Sequence, residues 1–282
     1  MKQIAIISGK GGTGKTVLTA AFSALIKDKV VVDCDVDAAD LHLLLHPTVK
    51  ERHAFQGGQK ASLDSSLCQK CGRCAVSCRF HAIKNFQVDP IFCEGCGLCK
   101  HVCPFGAIEM QDNVAGEWFV SDTKYGPFVH AKLGIAEDNS GKLVAKIRQV
   151  AKEIAEKNHI DRIIIDGPPG IGCPVMASLS GVSRALVVTE PTVSGLHDAE
   201  RVIKMAQHFQ TPVQLVINKW DLNPAMSERI ERHFKEKGVD IAGKIGFNPQ
   251  VVRAMVQGKN IVEYGDQAMI SEIVKISLWM QE

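Results

Sequence analysis

Eight residues near the start of the chain have the types and the spacing that bind phosphate groups. They are Gly9, Lys10, Gly11, Gly12, Thr13, Gly14, Lys15 and Thr16. Together they match the pattern G-x-x-x-x-G-K-[ST]. Glycines let backbone N–H groups turn toward phosphate oxygens, and the start of a helix adds a partial positive charge. In this pattern the Lys15 ammonium reaches the β- and γ-phosphates, and the Thr16 hydroxyl binds Mg²⁺.

The flanking sequence separates a nucleotide site from the alternative, a plain glycine-rich turn. Before the loop, Ile4–Ile7 is a short apolar run that is typical of a buried parallel strand. After the loop, apolar residues recur at helical spacing. They are Val17, Leu18, Ala21, Phe22, Leu25 and Ile26. A strand, a loop with Lys-Thr and a helix in this order indicate a nucleotide-binding site.

Lys10 is a second lysine, at a position that ordinary phosphate-binding loops leave open. The string GKGGTGKT resembles the deviant Walker A loop of the MinD/ParA/nitrogenase-iron-protein family of dimeric ATPases. In that family the extra lysine crosses to the nucleotide of the other subunit, as an arginine finger acts in trans. The resemblance implies bound ATP or ADP and a homodimer that sandwiches two nucleotides, with Lys10 completing the other subunit's site. The alternative is a solvated loop lysine.

Aspartates follow two predicted buried strands, Val30–Asp33 and Arg162–Ile165. The first strand leads into Asp33-Cys34-Asp35-Val36-Asp37, and Asp166 follows the second. Ligands of open α/β sheets bind at the carboxyl ends of the strands. Asp166 is therefore a candidate Walker B residue that holds Mg²⁺ through water, together with Thr16. An aspartate at the end of a strand is otherwise often only a helix cap.

The family resemblance assigns roles to these loops. It implies that Asp35 is the switch I aspartate that positions the attacking water, with Asp33 and Asp37 in support. It also implies that residues 167–172 form switch II, where Gly170 offers an N–H to the γ-phosphate. The candidate catalytic residues are Lys10, Lys15, Asp35 and Asp166.

Eight of the ten cysteines fall between Cys68 and Cys103. They form the runs Cys68-x2-Cys71-x2-Cys74-x3-Cys78 and Cys93-x2-Cys96-x2-Cys99-x3-Cys103-Pro104. In a reducing cytosol such a group indicates metal rather than disulfides. The second run has the C-x2-C-x2-C-x3-C-P spacing of bacterial ferredoxins. The two runs are also an internal repeat, offset by 25 residues along the chain.

The repeat resembles a ferredoxin with two [4Fe–4S] clusters, in which each run lends its fourth thiolate to the other cluster. One cluster is expected on Cys68, Cys71, Cys74 and Cys103, and the other on Cys93, Cys96, Cys99 and Cys78. Zinc is the alternative ligand, because C-x2-C pairs also build tetrahedral sites. The first run departs from the pattern, since Arg79 follows Cys78 where proline is usual.

The cysteine runs are an insertion, because strands and motifs of the nucleotide-binding fold resume after them. We expect a P-loop domain of residues 1–60 and 113–282 and a small α+β ferredoxin-like domain of residues 61–112. Strands and helices alternate after residue 140, which predicts a doubly wound, mostly parallel α/β sheet. Residues 118–138 have no clear period and are expected to be irregular or an edge strand.

The base of the nucleotide is a point of conflict. Asn218-Lys219-Trp220-Asp221 is literally N-K-x-D, the guanine-reading motif of GTPases. The family resemblance instead implies adenine, with Asn218 and Pro249 as candidate purine contacts in the loops after the last two strands. Lys219 and Asp221 are retained as candidate nucleotide-binding residues.

Composition excludes several classes of protein. The 282 residues are 45% hydrophobic and 23% charged, with a formal charge of +2, so nothing favours nucleic acid as a partner. No signal peptide or span of about 18 apolar residues is recognised, so the protein is expected to be cytoplasmic. The apolar stripe from Ile270 to Trp279 lacks the Lys/Arg excess of an interfacial anchor, which makes membrane binding an unfavoured expectation.

A nucleotide site and two clusters in one chain predict a slow switch ATPase. It would be an ATP-gated electron donor or an assembly ATPase for metal cofactors, with a redox or cofactor-assembly protein as partner. The alternative is a spatial-positioning ATPase whose ferredoxin senses redox state. Cys173 lies seven residues after Asp166. It is expected to be either a small buried residue or, by resemblance to the nitrogenase iron protein, a ligand of a third cluster between subunits.

Overall fold

The chain folds as two units, seen in a computed structural model that describes residues 1–135, 137, 140–264 and 267–281. The first unit comprises Met1–Arg52, Trp118–Lys132 and Ser140–Glu282, and the second comprises His53–Glu117 and Leu133–Asn139. The second unit is therefore larger than the predicted insertion of residues 61–112.

A nine-stranded sheet has the order β11-β10-β9-β1-β8-β2-β7-β6-β3. Its strands are β1 Lys2–Ser8, β2 Lys29–Asp33, β3 Thr48–Leu63, β6 Ile108–Thr123, β7 Gly126–Leu133, β8 Arg162–Pro169, β9 Arg184–Thr189, β10 Val213–Asn218 and β11 Asp240–Ile245. The strands from β11 to β7 in this order are all parallel. The predicted α/β fold with a mostly parallel sheet is confirmed.

Along the chain, the helices of the first unit alternate with the strands of this sheet. They are α1 Lys15–Leu25, α2 His42–Leu45, α5 Ser140–Lys157, α6 Cys173–Leu179, α7 Val193–His208, α8 Pro224–Lys235, α9 Pro249–Val256, α10 Ile261–Tyr264 and α11 Gln267–Gln281. A 3-10 turn spans Trp220–Leu222. No helix among the described residues is both long and apolar enough to cross a membrane.

Apolar side chains of the central strands and of α1 form the main core. Ile4 and Ile6 of β1, Phe22 of α1 and Ile164 of β8 are fully buried and belong to one cluster. Burial of each such side chain stabilises the fold by roughly 1.5–3 kcal/mol. The core fixes the sheet and therefore the loops at its carboxyl edge.

Residues 118–138 are not irregular or an edge strand, as the sequence suggested. Most of them form the end of β6 and all of β7, and β7 pairs in parallel with β2 through Val31 and Phe128. Phe128 and Val129 are fully buried, so β7 is an interior strand. Residues 136 and 138 lie outside the described part of the chain.

The second unit repeats its backbone at the 25-residue offset of the sequence. Its short helices α3 Arg73–Ser77 and α4 Leu98–Val102 follow Gly72 and Gly97, whose φ angles are 79° and 74°. Between the helices lies the hairpin of β4 Ile83–Lys84 and β5 Gln87–Val88. His81 has φ 55° where the second copy has Gly106 at φ 64°. The internal repeat is therefore structural as well as sequential.

Candidate functional site

The phosphate-binding loop connects β1 to α1 and depends on two glycines in the left-handed region. Gly12 has φ 77° and Gly14 has φ 91°. A Cβ on Gly14 would also lie 2.4 Å from Asn218 Nδ2, and a Cβ on Gly9 would lie 2.4 Å from Asp198. Larger side chains at these positions would push α7 and the end of β10 away from the loop.

The end of β10 holds the loop from the other side. Asn218 Nδ2 donates to the carbonyl oxygen of Thr13 at 2.7 Å, and Lys219 Nζ donates to that of Gly12 at 3.0 Å. The structure thus places Asn218, a predicted purine contact, on the backbone of the phosphate-binding loop.

Lys15 points into a group of carboxylates. Its Nζ lies 3.5 Å from Asp35 Oδ2 and 3.6 Å from Asp166 Oδ1. Burial alone would lower the pKa of Lys15, but Asp166, Asp35 and Asp33 outweigh it and raise that pKa. The ammonium therefore balances negative charge that the fold has buried.

The carboxylates come together because β2 and β8 pair in parallel with Asp33 opposite Asp166. Asp33 accepts hydrogen bonds from the N–H groups of Asp35 and Leu41. Burial, followed by the charge of Asp166, raises the pKa of Asp33 well above its ordinary value. Burial also raises the pKa of Asp35, against the opposing effect of Lys15.

Asp166 has one oxygen that fits a metal ligand. Thr19 Oγ1 donates to Asp166 Oδ1 at 2.8 Å, whereas Oδ2 is buried and has no hydrogen-bond partner among the described residues. Two carboxylates, Asp35 and Asp166, beside one lysine leave negative charge that a divalent cation would balance. Mg²⁺ is bound in such sites through one or two carboxylates and substrate phosphates, so Asp166 fits it, and Thr16 lines the cavity over the loop.

A cavity of about 700 Å³ opens over the loop. This volume is in the range of small-molecule sites. Its lining includes the loop, Asp35 and Asn218 together with a set of apolar side chains. The apolar residues, which the sequence analysis did not identify, are Leu43, Leu44, Phe247, Val251, Val252 and Met255. Val252 and Met255 are three residues apart on α9, a helical spacing that could have revealed them.

Three predicted nucleotide contacts either form hydrogen bonds with other groups or lie outside the cavity lining in this structure. Gly170, expected to offer its N–H to the γ-phosphate, donates it to the carbonyl oxygen of Ser8 at 2.9 Å. Asp221 Oδ1 accepts from the N–H of Phe247 at 2.6 Å. Pro249 is the first residue of α9, and the cavity is lined by its neighbours Asn248 and Val251.

Lys10 is not a solvated loop lysine. Its Nζ lies 2.5 Å from Glu190 Oε1 and donates to the hydroxyls of Thr192 and Ser194, both at 3.3 Å. Sequence reasoning missed Glu190 because nothing in its local spacing marks it. The carboxylate also lies 3.3 Å from Lys219 Nζ.

The eight cysteines of the second unit fall into two groups of four. One hollow is lined by Cys68, Cys71, Cys74 and Cys103, and a second by Cys78, Cys93, Cys96 and Cys99. Burial, together with the nearby Cys103 and Cys68 thiolates, raises the pKa of Cys74. The fourth cysteine of each run therefore lies with the first three of the other run.

The two hollows are not single-ion sites. Within the described residues, no three His, Cys, Asp or Glu side chains are close enough to bind one metal ion. Residues of the second hollow include Arg79, whose guanidinium lies 5.7 Å from the centre of the Phe80 ring. The backbone N–H of Ala61 donates to Cys93 Sγ at 3.4 Å.

Residues 4–261 match the family model described as the CobQ/CobB/MinD/ParA nucleotide-binding domain. The chain belongs to this family of P-loop ATPases. Lys15 and Asp166 both lie within the matched residues.

Relatives of this ATPase are found among archaeal proteins. An uncharacterised protein of Methanocaldococcus jannaschii is 36% identical over 78% of this chain and 79% of its own length. A protein of Pyrococcus furiosus named iron-sulfur cluster carrier protein is 27% identical over 49% of this chain and 50% of its own.

Solved structures show the same fold. The cell division ATPase MinD of Pyrococcus furiosus superposes with a TM-score of 0.61 and 19% identity, covering 99% of this chain and 98% of that one. MinD of Pyrococcus horikoshii, solved with Mg-ADP, has a TM-score of 0.60 and 18% identity, covering 100% and 96%.

Cys173 of the ATPase is exposed at the first residue of α6. The expectation of a small buried residue is therefore wrong. A Cβ on Gly141 would lie 3.2 Å from Cys173 Cβ, so the start of α5 runs close beside it.

Proposed function

We propose that this ATPase is a nucleotide-driven switch that carries two [4Fe–4S] clusters in its second unit. The observation that carries the proposal is the division of eight cysteines into two crossed groups of four. The same crossing is expected for a two-cluster ferredoxin, in which the fourth thiolate of each run ligates the other cluster.

The donor set of each hollow fits such a cluster. Four thiolates, each binding a different iron, need not converge on one point, which agrees with the lack of a single-ion site among the described residues. The Ala61 N–H that donates to Cys93 Sγ would stabilise negative charge on that sulfur. When bound, each cluster supplies one-electron redox chemistry.

In the first unit, Lys15 binds the phosphates, Thr16 and Asp166 hold Mg²⁺, and Asp35 orients the attacking water. Lys10 reaches the nucleotide of a second subunit, so a homodimer forms around two nucleotides. Loss of the γ-phosphate then relaxes the loops that contact it. Hydrolysis in this scheme is slow, because its role is to set the state of the protein.

The output of the switch is electron transfer or the assembly of metal cofactors, through a redox or assembly protein as partner. A relative named iron-sulfur cluster carrier protein supports the assembly role. That relative matches about half of this chain, so the role rests on the proposal and not on the likeness alone.

Iron content after anaerobic reconstitution tests the clusters. We expect about eight irons per chain. Two double variants then test the crossing. Cys68→Ala/Cys103→Ala should retain about four irons, because both changes affect one cluster. Cys68→Ala/Cys78→Ala should lose both clusters. The opposite pattern would mean that each run holds its own cluster, and stoichiometric zinc without iron would reject clusters altogether. Cys173→Ala is the matched control and should retain eight.

The switch itself needs a separate measurement. The midpoint potential of the clusters should differ between the nucleotide-free and the ATP-bound protein. An unchanged potential and an unchanged rate of cluster transfer to an apo-ferredoxin, with ATP turnover intact, would show that the two activities are uncoupled.

A further inference from the structure

The Lys10 ammonium is bound by acceptors of its own chain. A lysine ammonium has three N–H donors, and three acceptors surround this one: Glu190 Oε1, Thr192 Oγ1 and Ser194 Oγ. The three acceptors all belong to the short β9–α7 connection and the first turn of α7. The side chains of Lys10 and Glu190 are only 28% and 19% exposed. Lys10 leaves these three acceptors only when other acceptor groups replace them.

The three acceptors are themselves held in place by the fold. Thr192 is the N-cap of α7 and accepts from the N–H of Gly195 at 2.9 Å. Gly9, next to Lys10, lies so close to Asp198 of α7 that no Cβ would fit. The β9–α7 connection is therefore fixed and does not move with Lys10. If Lys10 moves outward toward a second subunit, its ion pair with Glu190 must break.

Glu190 also reaches the far side of the phosphate-binding loop. Its Oε2 lies 3.3 Å from Lys219 Nζ, which donates to the carbonyl oxygen of Gly12. One carboxylate thus holds two lysines, one on the loop and one behind it. Burial would raise the pKa of Glu190, but its hydrogen bonds from Lys10 and Lys219 prevail and lower that pKa. The carboxylate is ionised at neutral pH.

We propose that Glu190 is a positioning residue that retains Lys10 in its own subunit and so sets the threshold for nucleotide-dependent dimerisation. Lys10 leaves Glu190 when the nucleotide phosphates of a second subunit bind its ammonium more strongly than Glu190 does. The inference rests on the proposed use of Lys10 in trans and adds the residue that opposes it.

Glu190→Gln keeps the size and an acceptor oxygen but removes the charge. We expect ATP-dependent dimerisation at a several-fold lower protein concentration, measured by light scattering over a concentration series. At protein concentrations below the wild-type threshold, turnover should rise by a similar factor, while turnover at saturating protein should change little. Glu190→Asp keeps the charge and should restore most of the wild-type threshold.

The control is Glu200→Gln. Glu200 lies on α7 and its carboxylate is also paired with two lysines, Lys204 and Lys237, outside the nucleotide cavity. This variant should dimerise at the wild-type concentration. Thermal melts of each variant identify any that fails to fold, and Glu190→Asp then provides the comparison, as its threshold must lie at or below that of wild type.

A double-mutant cycle excludes a merely structural role. In the Lys10→Ala background ATP-dependent dimerisation should be lost, and Glu190→Gln should not restore it, because the residue that Glu190 restrains is gone. If Glu190→Gln raises the threshold of the otherwise wild-type protein, or promotes dimerisation of Lys10→Ala as well, Glu190 does not retain Lys10. If Lys10→Ala dimerises and hydrolyses ATP as wild type does, the trans role of Lys10 fails instead, which is a different result.

Discussion

Lys15 Nζ lies 3.6 Å from Asp166 Oδ1, and the two side chains are 6% and 1% exposed. This contact joins the lysine to which we assign phosphate binding to the aspartate that fits Mg²⁺. The ammonium offsets the negative charge of Asp166 and of Asp35. In the proposed complex the cation and the phosphates would enter the site together, which would keep the charge balanced.

Lys15→Ala should abolish nucleotide binding and also destabilise the nucleotide-free protein. Removing one partner of a buried ion pair leaves the other uncompensated, which typically costs about 3–5 kcal/mol. The loss is measured by urea denaturation and by titration calorimetry with ATP. Lys27→Ala, an exposed lysine two residues after the end of α1 and outside the cavity, is the control. A variant as stable as wild type would show that water already screens the carboxylates.

Asp33 should make stability depend on pH. Its pKa is raised when folded, so the folded state binds the proton more tightly than the unfolded chain. The stability it contributes is complete below the unfolded pKa of about 4 and is lost as the pH rises through the folded pKa. Without nucleotide, wild type should therefore lose stability relative to Asp33→Asn between pH 4 and that folded pKa.

Thermal melts across this pH range measure the difference between the two proteins. Asp161→Asn, at an exposed position before β8, is the control and should follow wild type. Parallel curves for wild type and Asp33→Asn would mean that Asp33 stays ionised throughout.

The sequence predicted the parts of the site that local spacing encodes. The loop from Gly9 to Thr16 and the strands of β1, β2 and β8 follow from short patterns, because a buried strand and a glycine-rich turn are specified by neighbouring residues. Parallel pairing then brings Asp33 and Asp166 to one edge. The order of the sheet could not be read locally, and β7 was mistaken for an edge or irregular segment for this reason.

The spacing of residues along the sequence could not predict contacts between residues that are far apart in the chain. Glu190 and Lys10, or Asn218 and Thr13, meet only because strands far apart in sequence end at the same edge of the sheet. The same holds for Gly170, whose N–H is taken by Ser8 in this structure. A residue type indicates which bond it can form, whereas the fold decides with which partner.

Asn218→Ala should weaken nucleotide binding through the phosphate-binding loop. The change removes the hydrogen bond to the Thr13 carbonyl, and a lost bond of about 1 kcal/mol lowers affinity several-fold. Calorimetry with ATP and with inorganic tripolyphosphate separates two roles. An equal loss for both ligands is expected. A loss for ATP alone would instead make Asn218 a purine contact.

The last prediction concerns the N-K-x-D string, which in a GTPase would read guanine. Here Asp221 Oδ1 accepts the N–H of Phe247 at 2.6 Å, and the carboxyl group lies under 4 Å from where a Cβ on Gly246 would be. The carboxylate thus fastens the loop between β11 and α9, which supplies Phe247 and Asn248 to the cavity. ATP should bind more tightly than GTP. Asp221→Ala should weaken both about equally, because it loosens the loop without removing a base contact. Competition of ATP and GTP against a fluorescent ADP analogue measures the ratio in wild type and variant, with Asp240→Ala on the exposed start of β11 as control. Tighter binding of GTP than ATP in wild type, lost in Asp221→Ala, would show that Asp221 leaves Phe247 and reads guanine.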